Sequence, residues 1–114
     1  MMYSIEQIAK TAHLVHITYC KHIGSLTQPE WSEVSPSHKN VVYSSINKII
    51  KGELKSVEDS HDAFVKYKYS QGWRFSETYS LEDKTNPRLV AFERLSLEQR
   101  IKESLFFECV KSFI

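Results

Sequence analysis

The sequence is most informative at first in what it has little of. It contains only three glycines in 114 residues, each at the end of a stretch that reads as helix. No glycine-rich phosphate loop of the Walker or Rossmann kind can therefore be assembled. It holds two cysteines, Cys20 and Cys109, far apart and both on apolar stripes, with no CxxC pair. A disulfide framework, a zinc cluster and a dithiol redox site are all excluded, and both cysteines are expected as buried free thiols. No apolar run approaches the roughly 20 residues that cross a bilayer, so no membrane partner is expected. The first residues, Met1 to Glu6, lack the basic head, apolar run and small-residue cleavage site of a secretory leader, and the expected location is cytoplasmic. Charge of one sign is also missing. Fifteen basic residues stand against fourteen acidic ones, a formal charge of +1. The basic residues are scattered, whereas a nucleic-acid surface needs a basic face. Neither DNA nor RNA is expected as a partner.

What is present suits one helical domain spanning residues 1–114. The chain is 41% apolar and 25% charged, the balance of a globular protein with one core. Ile5, Ile8, Ala12, Val15, Tyr19 and Ile23 recur at three and four residues, which predicts a helix from about Ile5 to Ile23, capped by Ser4 and ended by Gly24. Ser35-Pro36 opens a second helix with stripe Val41, Val42, Ile46, Ile49 and Ile50, closed by Gly52. Ser56 and Asp59 cap a third, which carries Ala63, Phe64 and Tyr67 and stops at Gly72. Ser96 and Gln99 match a capping box for a fourth through Leu105, Phe106, Cys109, Val110 and Phe113. The fold class is thus mainly α, with about four helices. From Trp73 to Leu95 the pattern is irregular, with room only for short extended pieces or a short hairpin. Long structureless loops inside compact domains are uncommon and often functional.

Three kinds of chemistry bear on the remaining residues. No Gly-x-Ser-x-Gly elbow or exposed cysteine offers a nucleophile. His13 and His16 are three apart, a spacing that can put two imidazoles on one helix face. No HExxH motif or carboxylate set accompanies them, so no metal or other cofactor is expected and each histidine is read as solvated or hydrogen-bonded. What remains is binding. Phe64, Trp73 and Phe75 offer flat faces, while Lys68, Arg74, Lys84 and Arg88 offer charged donors, and together these suit a planar base and its phosphates. Trp73, just after a helix-ending glycine, suits core packing equally well.

The block His61-Asp62-Ala63-Phe64, Lys68, Gly72-Trp73-Arg74-Phe75, Lys84-Thr85-Asn86-Pro87-Arg88-Leu89-Val90 and Phe92-Glu93-Arg94-Leu95 resembles the RyR domain, the ryanodine-receptor repeat. That family's pattern runs His-x-x-Trp, Lys or Arg, Gly-Trp-x-Tyr-Gly, then Lys-x-His/Asn-Pro-x-Leu-Val-Pro-Tyr-x-x-Leu. Upstream, His13, Tyr19-Cys20, Gly24 and Gln28-Pro29-Glu30-Trp31 are similar to stand-alone bacterial and phage members, so the likeness covers nearly the whole chain, with residues 61–95 as its characteristic block. The departures are Phe64 for Trp, Phe75 for Tyr, Ser76 for Gly, Ala91 for Pro and Phe92 for Tyr. Losing two phenol hydroxyls removes two hydrogen bonds worth about 0.5–1.5 kcal/mol each.

The resemblance implies a helical, RyR-repeat-like domain without catalytic activity, and a pocket for purine-like ligands at the aromatic of His-x-x-Trp, here Phe64 preceded by His61. The expected function is therefore binding of a nucleotide-derived signalling molecule, for instance sequestration of an immune messenger by a phage anti-defence protein. The expected ligand-binding residues are His61, Phe64, Lys68, Trp73, Phe75, Lys84, Arg88 and Trp31. A homodimer could place two Phe64 rings about one pocket, as paired repeats do. The competing expectation is a protein-interaction module with no small ligand.

Overall fold

A computed structural model describes residues 2–25 and 28–114. Among these the chain forms four α-helices, α1 (Ile5–Ile23), α2 (Pro36–Ile50), α3 (Val57–Ser70) and α4 (Leu97–Lys111), with short 310 turns at Trp31–Glu33 and Phe92–Arg94. Every helix begins where a serine hydroxyl accepts the backbone N–H three residues on: Ser4 from Gln7, Ser35 from His38, Ser56 from Asp59 and Ser96 from Gln99. These bonds satisfy donors that a helix start leaves unpaired. Only at α1 is the expected reciprocal box complete, with Ser4 N–H donating to Gln7 Oε1. At α4 the Gln99 amide turns away and donates to Glu103 Oε2 instead (3.3 Å). The carboxylate of Asp59 at α3 accepts from Lys55 N–H.

α1 and α4 pack along each other, α2 leans on both, and α3 rests on α4. The core joins Ile8, Ala9, Trp31, Val34, Ile46, Ile49, Leu54, Phe107 and Val110. The face of α1 that is buried differs from the expected stripe: Ala9, Ile17 and Cys20 are inside with Ile8 and Ala12, while Ile23 is exposed. In α3 only His61 is fully buried, and Ala63, Phe64 and Tyr67 stay partly or largely open. Val57 and Ala63 of α3 pack against the core, while Phe64 and Tyr67 border a groove.

The segment after α3 holds two isolated bridges, Arg74 with Thr85 and Ser80 with Thr85, and no longer strand. Gly72 turns the chain out of α3 with φ 89°, a conformation that any side chain would strain. Trp73 then folds back against the α3 end. Asn86, buried, accepts the Arg88 N–H at its Oδ1 (2.8 Å), an Asx turn that carries the chain toward α4. Leu89 is buried one residue further on and fixes Arg88 in place. No helix among the described residues is long and apolar enough to cross a membrane.

Candidate functional site

α2 and α3 each rest on α4, and a groove of about 650 Å³ opens between them. That is within the roughly 300–1,000 Å³ of small-molecule sites. Ala12, His13 and His16 of α1 and Glu103 and Phe106 of α4 line it, with His38 and Lys48 from α2, Phe64 and Tyr67 from α3, and Arg88 from the loop.

At its base is a network built on His61. This imidazole is 1% exposed, with Nδ1 2.7 Å from Glu103 Oε1 and Nε2 2.7 Å from the Val90 carbonyl. Both partners are acceptors, so each nitrogen donates and the ring is the imidazolium. Burial alone would push its pKa down, but the Glu103 carboxylate and the Val90 carbonyl outweigh that and raise it. Glu103 moves the other way: burial raises it, while the His61 hydrogen bond and the Arg88 charge prevail and lower it. Arg88 Nη2 donates to Glu103 Oε2 at 3.4 Å, and its guanidinium lies 4.3 Å above the Phe64 ring. Its Nε is buried with no acceptor among the described residues.

The remaining charge in the groove is positive. Lys48, Arg88 and Lys102 line it against the single carboxylate of Glu103. Lys102 also reaches Glu98 at 3.3 Å on the outside of α4. The cations depress one another. Burial lowers His16, helped by Lys102, His13 and Arg88, and burial lowers His38, helped by His13 and Lys68. Lys68 is lowered by burial and then by Arg88. Such mutual repulsion is relieved by an anion.

The sequence-predicted residues divide. Phe64, Arg88 and Trp31 line the groove. His61 lies behind it as the buried support, and Lys68 sits at its margin, over both Phe64 (5.9 Å) and Trp73 (4.8 Å). Trp73, Phe75 and Lys84 are outside. Trp73 is the core plug that its position after Gly72 allowed, flanked by Lys68 and Tyr79. Phe75 is 47% exposed on the irregular segment. Lys84, at φ 56°, donates to the Gln71 carbonyl (3.1 Å) and closes the end of α3.

Two expected stacking platforms are also already occupied. Trp31 is 6% exposed, with Lys39 over its ring and His13 and Tyr43 beside it. Its Nε1 donates to Glu6, which the Tyr43 hydroxyl also binds. These bonds, with Tyr43 foremost, hold the Glu6 carboxyl below its usual range. Little of the Trp31 ring is therefore left for a ligand. Phe64 carries Arg88, so a planar ligand would meet the guanidinium plane rather than that face of the ring. His13, His16, His38, Lys48 and Lys102 were missed as lining. The spacing of His13 and His16 pairs them on α1, but it carries no sign that α2 and α4 bring His38, Lys48 and Lys102 to them. His13 itself donates from Nε2 to the Pro29 carbonyl (2.6 Å), which ties the loop before Trp31 to α1.

No protein-family model, curated protein or solved structure matches the chain. Among the described residues no cluster of His, Cys, Asp and Glu could hold a metal ion.

Proposed function

We propose that the protein is a non-enzymatic receptor for an anionic, nucleotide-derived small molecule, held in the groove between α2 and α3. The observation that carries this reading is the groove's lining: cations from two helices and a loop around one carboxylate that His61 already neutralises. In such a place phosphate oxygens gain charge-assisted hydrogen bonds, about 1.5–3 kcal/mol each. Arg88, held flat by Phe64, supplies both a donor fork and a plane on which a base can stack. The resemblance to stand-alone RyR domains supports the same reading and adds its setting, the sequestration of a cytoplasmic signalling nucleotide by a bacterial or phage protein.

Sequestration needs a Kd of roughly micromolar or below, about −8 kcal/mol. Calorimetry against cyclic oligonucleotides and ADP-ribose-derived messengers tests this, together with mass spectrometry of small molecules released from the purified protein. Saturable binding with one ligand per chain is expected. Absence of heat with every messenger at high protein concentration would overturn it. The second reading, a protein-interaction module, is favoured by one observation: Phe75, Tyr79 and Leu81 are exposed together on the irregular segment. Aromatic anchors of this kind serve interfaces, and their alanine variants would weaken a partner while leaving the messengers untouched.

A further inference from the structure

Three histidines line the groove, His13, His16 and His38. We propose that the groove selects ligands bearing a terminal pyrophosphate, as in a nucleoside diphosphate, and that His16 and His38 take up protons when such a ligand binds. This rests on the reading of the groove as a phosphate site and adds its charge requirement.

The charges facing each histidine come from every side. Around His16 are His13 and Cys20 of α1, the latter with Sγ 3.6 Å from Nε2, then Lys102 of α4 and Arg88 of the loop. Around His38 are His13 of α1 and Lys68 of α3. Tyr67 and Lys48 complete the ionisable lining on α3 and α2. The one acid among them, Glu103, is engaged by His61, Arg88 and Gln99 and offers the histidines no free oxygen. Both imidazoles therefore stay neutral at pH 7 in the free protein, as burial and their cationic neighbours dictate.

Lys48, Arg88, Lys102 and the His61 imidazolium behind them set four positive charges against the carboxylates of Glu103 and Glu98, an excess of two. A phosphodiester brings a single negative charge and leaves part of this excess standing, so the histidines gain nothing by protonating. A terminal pyrophosphate brings about three negative charges, about one on its inner phosphoryl group and about −1.5 to −2 on its outer one. That overshoots the excess by about one charge, which the two imidazoles can supply. Proton uptake thus distinguishes the ligand class, and binding tightens as pH falls toward the histidine range.

Calorimetry at about pH 6.5 in two buffers of different ionisation enthalpy reads this directly on the unmodified protein. The probes are inorganic pyrophosphate, adenosine diphosphate and, as a monoanionic diester, cyclic adenosine monophosphate. Expected are buffer-dependent heats equivalent to about one proton taken up with the first two, and at least about tenfold weaker binding without uptake for the diester. In the double variant His16→Gln, His38→Gln, with an unchanged circular-dichroism melt, the uptake disappears and the affinity gained between about pH 8 and pH 6 is lost. Heats independent of buffer in the unmodified protein, or equal affinity for pyrophosphate and the diester, would overturn the inference. If adenosine diphosphate binds without proton uptake, this inference fails alone. If no phosphate ligand binds at all, the underlying reading fails with it.

Discussion

The groove between α2 and α3 and the irregular segment from Trp73 to Thr85 are built from the same kinds of side chain, aromatics and cations, yet they spend them differently. In the irregular segment the cations serve the fold. Arg74 donates to the Trp73 carbonyl at 2.7 Å and stacks on Tyr69, and Lys84 donates to the Gln71 carbonyl. In the groove, Arg88 shares one carboxylate with His61 and keeps a buried Nε without an acceptor. A cation whose bonds are already made to its own backbone has little left for a ligand. One that is under-partnered and repelled by its neighbours has a great deal.

This contrast can be broken most forcefully at His61. His61→Ala leaves the Glu103 carboxylate and the Val90 carbonyl without their donor, and breaking a buried pair in this way costs about 3–5 kcal/mol. Urea unfolding should show that loss, against less than about 0.5 kcal/mol for Phe75→Ala on the exposed segment. Equal effects at the two sites would erase the distinction.

Next in size are the ligand contacts. Arg88→Ala removes a charged donor and the Phe64-supported plane, so affinity for a phosphate ligand should fall by about one to two powers of ten, or about 1.5–3 kcal/mol. Lys84→Ala should leave binding unchanged, since its Nζ caps α3. Titration of both variants with the same ligand sharpens the comparison, and a larger loss at Lys84 would reverse it.

A smaller effect follows from pH. The folded-state pKa of His61 is raised above its ordinary 6.5. Its contribution to stability is therefore fully present below about pH 6.5 and is lost as pH rises through the folded value. Glu103 is lowered from 4.5, so its contribution is present above that and is lost as pH falls through its folded value. Melting temperature across pH should thus decline on the alkaline side, and His61→Gln should flatten that decline. The smallest expected change is Gly72→Ala, which places a side chain at φ 89° for about 1 kcal/mol. It loosens the turn that seats Trp73 without touching the groove.

Much of the fold was legible because local rules govern it. The serines at positions 4, 35, 56 and 96 and the glycines at 24, 52 and 72 mark helix ends, and hydrogen bonds to near neighbours are what those signals describe. The site was legible only in part. Phe64 and Arg88 were drawn from a contiguous block, and both line the groove. Trp73 and Lys84 came from the same block and proved structural, because sequence proximity does not reveal which carbonyl a lysine will meet. His38, Lys48 and Lys102 were invisible, since each is an ordinary polar residue on a helix face until four helices converge. Trp31 is expected from the sequence to bind a ligand, yet Glu6, His13 and Tyr43 enclose it, and all three are distant in sequence or on other elements.

The central claim is that a phosphate-bearing ligand sits on the helix-lined groove and not on the irregular segment. Backbone amide chemical shifts recorded during titration with adenosine diphosphate test it most directly. The account predicts saturable shifts at His13, His16, His38, Phe64, Arg88 and Lys102, with Phe75 to Lys84 unmoved. Shifts confined to Phe75 through Lys84, or none anywhere at millimolar ligand, would contradict it.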